Sequence, residues 1–149
     1  MATPQRISFV TLGVADVARS TRFYESLGWR RAPGSQDAIS FFEMQGSAFA
    51  LFGHGELAHD SGLADDVPTL GQGTFRGVAL ALNVESRDEV DATFAEWVDK
   101  GATPTKPPEA VFWGGYSSYV ADPDGHLWEI VHNPLMPNSA DGKVTFPDG

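Results

Sequence analysis

An α+β fold of two tandem βαβββ modules is what this sequence predicts, and two observations carry that expectation. The first is an internal repeat. Val14-Ala15-Asp16 closes an alternating apolar run and opens a helical stretch, and Val84-Glu85-Ser86 does the same 70 residues later. Near the end of each half, Gly46-Ser47-Ala48-Phe49-Ala50-Leu51 corresponds to Gly125-His126-Leu127-Trp128-Glu129-Ile130, now 79 residues apart. A repeat of this length makes each half one supersecondary unit, with the extra residues inserted in the second. The second observation is periodicity: in each half a period-two strand pattern runs into a period-3.6 helix pattern and then into short strands.

The first module spans about residues 7–53. Ile7 to Val14 alternates around Phe9, Val10, Leu12 and Val14, the mark of a half-buried strand. Asp16 is an N-cap, Val17, Ser20, Tyr24 and Leu27 share one helical face, and Gly28 ends the helix. Trp29 to Ala32, Ile39 to Met44 and Ala48 to Phe52 read as three short strands, with Gln45-Gly46 turning between the last two. Residues 54–76 carry Gly, Asp, Pro and His without a clear period, the pattern of a long connector.

The second module, about 77–132, repeats the order. Val78, Leu80, Leu82 and Val84 form one strand face. Ser86-Arg87-Asp88-Glu89 is a capping box. Val90, Phe94, Trp97 and Val98 make the helix stripe, and Gly101 stops it. Thr103 to Lys106 is a strand that Pro104, Pro107 and Pro108 push to a sheet edge. Phe112 to Ala121 and His126 to His132 form a hairpin through Asp122-Pro123-Asp124-Gly125. The tail, 133–149, has no counterpart in the first half and is expected to be either disordered or laid over a neighbour. Alternation places Val10, Leu12, Val14, Val78, Leu80, Leu82, Val84, Phe49, Leu51, Trp128 and Ile130 under the helices. The opposite faces carry Phe9, Thr11, Ala48, Ala50, Phe52, Ala79, Ala81, Asn83, Leu127, Glu129 and Val131, the lining of a cleft.

Composition narrows the function. The chain has 149 residues, enough for one domain with a sizeable core. Its net charge of −10 argues against nucleic acid and anionic membranes, and favours neutral or cationic ligands. It has no cysteine, so disulfides, a thiolate nucleophile and a cysteine-built zinc site are excluded. No run approaches a membrane helix, and Met1 to Arg6 lacks the apolar core of a signal peptide, so a cytoplasmic protein is expected.

The stretch Val14-Ala15-Asp16-Val17-Ala18-Arg19-Ser20-Thr21-Arg22-Phe23-Tyr24-Glu25-Ser26-Leu27-Gly28, with the finish Asp122-Pro123-Asp124-Gly125-His126-Leu127-Trp128-Glu129, resembles the vicinal oxygen chelate superfamily. That superfamily includes glyoxalase I, extradiol dioxygenases, and fosfomycin- and bleomycin-resistance proteins. The resemblance covers roughly residues 7–132 and implies paired βαβββ modules whose curled mixed sheets enclose a cleft, in a homodimer. It also implies four metal-ligand positions, which fall here on Phe9, Ala50, Ala79 and Glu129. Only Glu129 can ligate, whereas a divalent site needs about three protein ligands. No metal and no cofactor are therefore expected, and the metal-dependent isomerase, dioxygenase and epoxide-opening chemistries lose their basis.

What remains is metal-independent binding of a small apolar or aromatic molecule, as in bleomycin-resistance proteins. The alternative is a metal-free lyase or isomerase using Glu129 as general acid or base. Candidate ligand-binding residues are Phe9, Phe52, Trp113, Tyr116, Tyr119 and Glu129. The aromatics between Phe112 and Tyr119 either stack on a flat guest or pack across a hairpin. Phe9 and Phe52 either line a pocket or fill the space of a lost metal. Glu129 is either functional or a solvated remnant. His54, His59, His126 and His132 match no zinc spacing and read as surface residues.

Overall fold

The structure, a computed structural model, describes residues 2–64 and 66–147. It divides into two compact units, Met1–Thr69 and Leu70–Gly149, with the boundary inside the expected connector. Both carry mixed sheets with helices, so the fold is α+β with tandem modules.

In the first unit, β1 (Phe9–Val14), α1 (Val17–Ser26), β2 (Ile39–Glu43), β3 (Ala48–Gly53) and α2 (His54–Asp60) follow in order. The sheet order is β1-β3-β2, parallel between β1 and β3 and antiparallel between β2 and β3. Asp16 caps α1 as its spacing predicts, its carboxylate accepting the Arg19 N–H at 3.0 Å. Phe23 and Tyr24 enter the core, where Tyr24 stacks on Trp29 at 5.3 Å and meets Phe49 edge-on at 5.0 Å. Leu12, Val14, Phe49 and Leu51 are buried with them, each such side chain contributing about 1.5–3 kcal/mol on burial.

Two expectations for this unit are corrected. Trp29 to Ala32 is not a strand: only Arg31 pairs with Phe42, as an isolated bridge. The chain turns back at once, because the Arg31 guanidinium donates to Ser40 Oγ at 2.9 Å and to the Gln36 carbonyl at 2.6 Å. The connector begins with helix α2 rather than irregular chain. It packs on β1, where a Cβ on Gly13 would stand 3.3 Å from His54 Nδ1 and 3.4 Å from Leu57 Cδ2.

The second unit runs β4 (Ala79–Asn83), α3 (Arg87–Asp99), β5 (Thr103–Ala110), β6 (Tyr116–Ala121) and β7 (Leu127–His132). The sheet order is β4-β7-β6-β5, with β4 and β7 parallel. Ser86 caps α3 by accepting the Glu89 N–H at 3.1 Å, and Glu89 returns the bond by accepting the Glu85 N–H at 2.8 Å. On the helix side, Val90, Trp97, Val120, Trp128 and Ile130 are buried, and Trp97 meets Trp128 at 5.3 Å.

β5 is an edge strand, as its prolines require, yet it continues past Pro107 and Pro108 to Ala110 through two register shifts. Val78 lies outside β4 and is 61% exposed, not part of the core, because β4 is itself an edge. Residues 112–115 are not strand; they form the turn between β5 and β6, with Gly114 at φ 96°. The described part of the tail is ordered on its own unit. Asn138 Nδ2 donates to the Asn83 carbonyl at 3.0 Å and to Glu85 Oε1 at 2.9 Å.

Candidate functional site

The face of the second sheet turned away from α3 gathers several of the candidate residues. Register aligns Ala81, Glu129 and Tyr119 across β4, β7 and β6, and Asn83, Val131 and Ser117 one step along. Glu129 is half-buried, and the buried Ser117 hydroxyl donates to its Oε2 at 2.7 Å. The Tyr119 phenol stands beside the same carboxylate. Burial pushes the Tyr119 pKa above its ordinary value, and Glu129 adds to this by its charge and as acceptor for the phenolic hydrogen. Lys106 lies close to both and pairs with Glu109 at 2.9 Å, which holds its ammonium form more firmly than usual.

Two pockets open on this face. One, of about 450 Å³, is lined by Trp113, Glu129, Asn83, Val131, Asn133 and the tail residues Leu135 and Met136. The other, of about 540 Å³, has Tyr119, Lys106, Leu127 and Phe75 in its walls. Tyr119 lines the second and Glu129 the first. Trp113 reaches its place because the turn before β6 is glycine-rich: its ring covers Gly115 where a side chain would begin.

Of the predicted site residues, Trp113 and Glu129 line one pocket, and Tyr119 stands beside Glu129 while lining the other. Tyr116 lines neither: it lies on the α3 side, its hydroxyl donating to Asp91 Oδ1 at 2.8 Å, with Arg87 5.2 Å from the ring centre. The bond to Asp91 holds the Tyr116 phenol above its ordinary pKa. Phe9 and Phe52 belong to the first unit, where Phe9 is 56% exposed and meets Phe41 edge-on at 6.0 Å, while Phe52 is half-buried. Ser117, Lys106, Leu135 and Met136 were not anticipated. Alternation from Tyr119 signals Ser117; no pattern in the sequence places the tail residues.

The histidines do not converge. His132 Nδ1 lies 3.1 Å from the Val84 carbonyl and His126 Nδ1 lies 2.9 Å from Arg76, while His54 and His59 are on α2. Among the described residues, no three His, Asp or Glu side chains come together as a metal would need. At the four superfamily positions, a phenyl ring and two methyl groups supply no ligand atom, and Glu129 already accepts from Ser117. These residues do not fit a metal.

The signature residues seen in the sequence turn out to be architectural. Asp16 caps, Phe23 and Tyr24 pack, and the buried Asp122 accepts the N–H groups of Asp124 at 3.0 Å and His126 at 2.8 Å. The family model of the Glyoxalase/Bleomycin resistance protein/Dioxygenase superfamily matches residues 6–130. This chain belongs to that superfamily.

Solved relatives agree with the assignment. A glyoxalase-related enzyme from Fulvimarina pelagi is 38% identical, covers 97% of this chain and 100% of its own, and superposes with a TM-score of 0.85. A superfamily enzyme from Burkholderia phytofirmans PsJN is 20% identical over 84% of this chain and 96% of its own, with a TM-score of 0.72. A superfamily protein from Nocardioides is 22% identical over 89% of this chain and 85% of its own, with a TM-score of 0.71. The last two establish the fold alone. No curated protein matches the chain. Among the described residues, no helix is long and apolar enough to cross a membrane.

Proposed function

We propose that this member of the superfamily binds a small apolar or aromatic molecule without a metal, in the pocket between Trp113 and Glu129. The observation that carries the reading is the make-up of that pocket. Trp113, Val131, Leu135 and Met136 give apolar walls, and Glu129 is the one charged side chain among the lining residues. Its volume of about 450 Å³ is that of a small-molecule site. A ring carrying a positive charge suits it best: Trp113 offers a π face and Glu129 a counter-charge. The acidic balance of the chain favours the same guest, and we place the protein in the cytoplasm as a homodimer.

The test is a titration with 2-naphthylmethylammonium, read at the Trp113 indole N–H by NMR with a chelator present. A saturable shift is expected, weakened about tenfold in Glu129→Gln by loss of the charged partner. No response at Trp113, from this amine or from neutral naphthalenes, would refute the reading.

A second reading, acid–base catalysis by Glu129, is favoured by its place in the pocket wall with Ser117 and Tyr119 positioning the carboxylate. It requires a substrate whose turnover Glu129→Gln abolishes while leaving the fold intact.

A further inference from the structure

The second pocket has a wall that its sheet does not provide. The segment Gly71–Arg76 crosses the turn between β6 and β7 as a strap, and both its ends are tied down. Gln72 Nε2 donates to the Asp122 carbonyl at 2.6 Å. The Arg76 guanidinium donates to the carbonyls of Gly71 at 2.8 Å and Asp124 at 2.7 Å, and its other nitrogen lies 2.9 Å from His126 Nδ1. Gly125 lets the strap in: a Cβ there would stand 2.1 Å from the Gly71 carbonyl oxygen. Between these anchors Phe75 is held 75% exposed, beside a pocket of about 540 Å³ floored by Ala121 and Leu127. An exposed aromatic ring at the mouth of a preformed apolar pocket gains by burial against a guest, and the tied segment that carries it lowers the ordering cost of binding one.

The geometry points to a second ligand compartment here, which takes an uncharged aromatic ring system bearing a carbonyl or phenolic oxygen. Apolar walls and Phe75 select the ring. The oxygen is selected by Lys106, whose ammonium has three donors, with one turned to Glu109 at 2.9 Å. The charges around the pocket select neutrality. Lys106 is the one charged side chain among the lining residues and repels a cation, while Glu109 at 2.9 Å already compensates its charge, so an anion gains little over a neutral oxygen. The compartment is independent of the Trp113 pocket, whose lining it does not share.

Trp113→Ala protein is titrated with 2-acetylnaphthalene, 2-naphthoate and 2-naphthylmethylammonium, following the Leu127 methyl resonances. The neutral ketone is expected to bind tightest. Phe75→Ala weakens it about tenfold through lost aromatic burial, and Lys106→Gln about threefold, the worth of an exposed polar partner. Arg76→Ala weakens it also, by freeing the strap. The proposal is overturned if no probe moves Leu127, if a charged probe binds tightest, or if Phe75→Ala leaves the ketone unaffected. It is equally overturned if Phe75→Ala instead lowers the sedimentation mass of the ligand-free protein, since a second copy then covers the ring. Binding at Leu127 that survives Trp113→Ala separates this compartment from the one proposed for the Trp113 pocket.

Discussion

The six-membered ring of Trp113 occupies the space where a side chain on Gly115 would start, with Cζ3 2.0 Å from an added Cβ. The backbone at Gly115 does not have the positive φ of its neighbour Gly114, so alanine is tolerated by the main chain. The ring, not the fold, must yield. Gly115→Ala therefore displaces Trp113 at a stability cost under about 1 kcal/mol. Thermal unfolding is expected to change little, while the Trp113 indole N–H resonance shifts and aromatic ligands bind more weakly. An unmoved indole resonance would count against this contact.

Gly125 is the opposite case. It sits at φ 86°, and an added Cβ meets backbone, the Gly71 carbonyl oxygen, at 2.1 Å. Gly125→Ala combines left-handed strain with a clash that cannot swing aside, and is expected to cost about 2–4 kcal/mol. Denaturant unfolding measures the loss, and amide exchange at residues 71–76 is expected to accelerate. A loss below about 0.5 kcal/mol, within the range of ordinary surface changes, would show that the strap gives way freely.

The Tyr119–Glu129 pair makes a prediction for alkaline pH. Burial first, then the neighbouring carboxylate, raise the Tyr119 pKa, so folding favours the protonated phenol. The stabilisation is fully present below the unfolded phenol value of about 10 and is lost as pH rises through the higher folded value. The stability advantage of wild type over Tyr119→Phe should thus shrink in that alkaline window. Glu129→Gln, read by NMR titration of Tyr119, should bring its ionisation back toward the ordinary phenol value. An upward movement would reverse the assigned role of Glu129.

In the core, Trp97 is 2% exposed and meets Trp128 at 5.3 Å. Trp97→Ala is expected to cost about 3–5 kcal/mol, read by urea unfolding, and to leave the β6–β7 face bearing Glu129 intact at low temperature.

Signals that live within a few residues were legible in the sequence. Asp16 and Ser86 cap as their spacing requires, and the paired helices and the β6–β7 turn follow from local pattern. Tyr116 and Tyr119 show how such a signal is misused. They are three residues apart on one strand, so period two alone sends them to opposite faces; grouping them as one aromatic cluster ignored that parity. What was illegible is non-local. The hold of Asn138 on β4, the entry of Leu135 and Met136 into the pocket, and the anchoring of Phe75 by Arg76 all join segments 48 or more residues apart or depend on such joins. Helix α2 was missed because its seven residues are too few to show a helical period.

In the proposed function this face holds an aromatic guest with no metal ion. Calorimetric titration of 2-naphthylmethylammonium into chelator-treated protein, and into the same protein given zinc, nickel or iron, tests it most directly. Equal affinity is expected in every sample, with no stoichiometric metal uptake. Binding that appears only once an ion is held through Glu129 would contradict the proposed function.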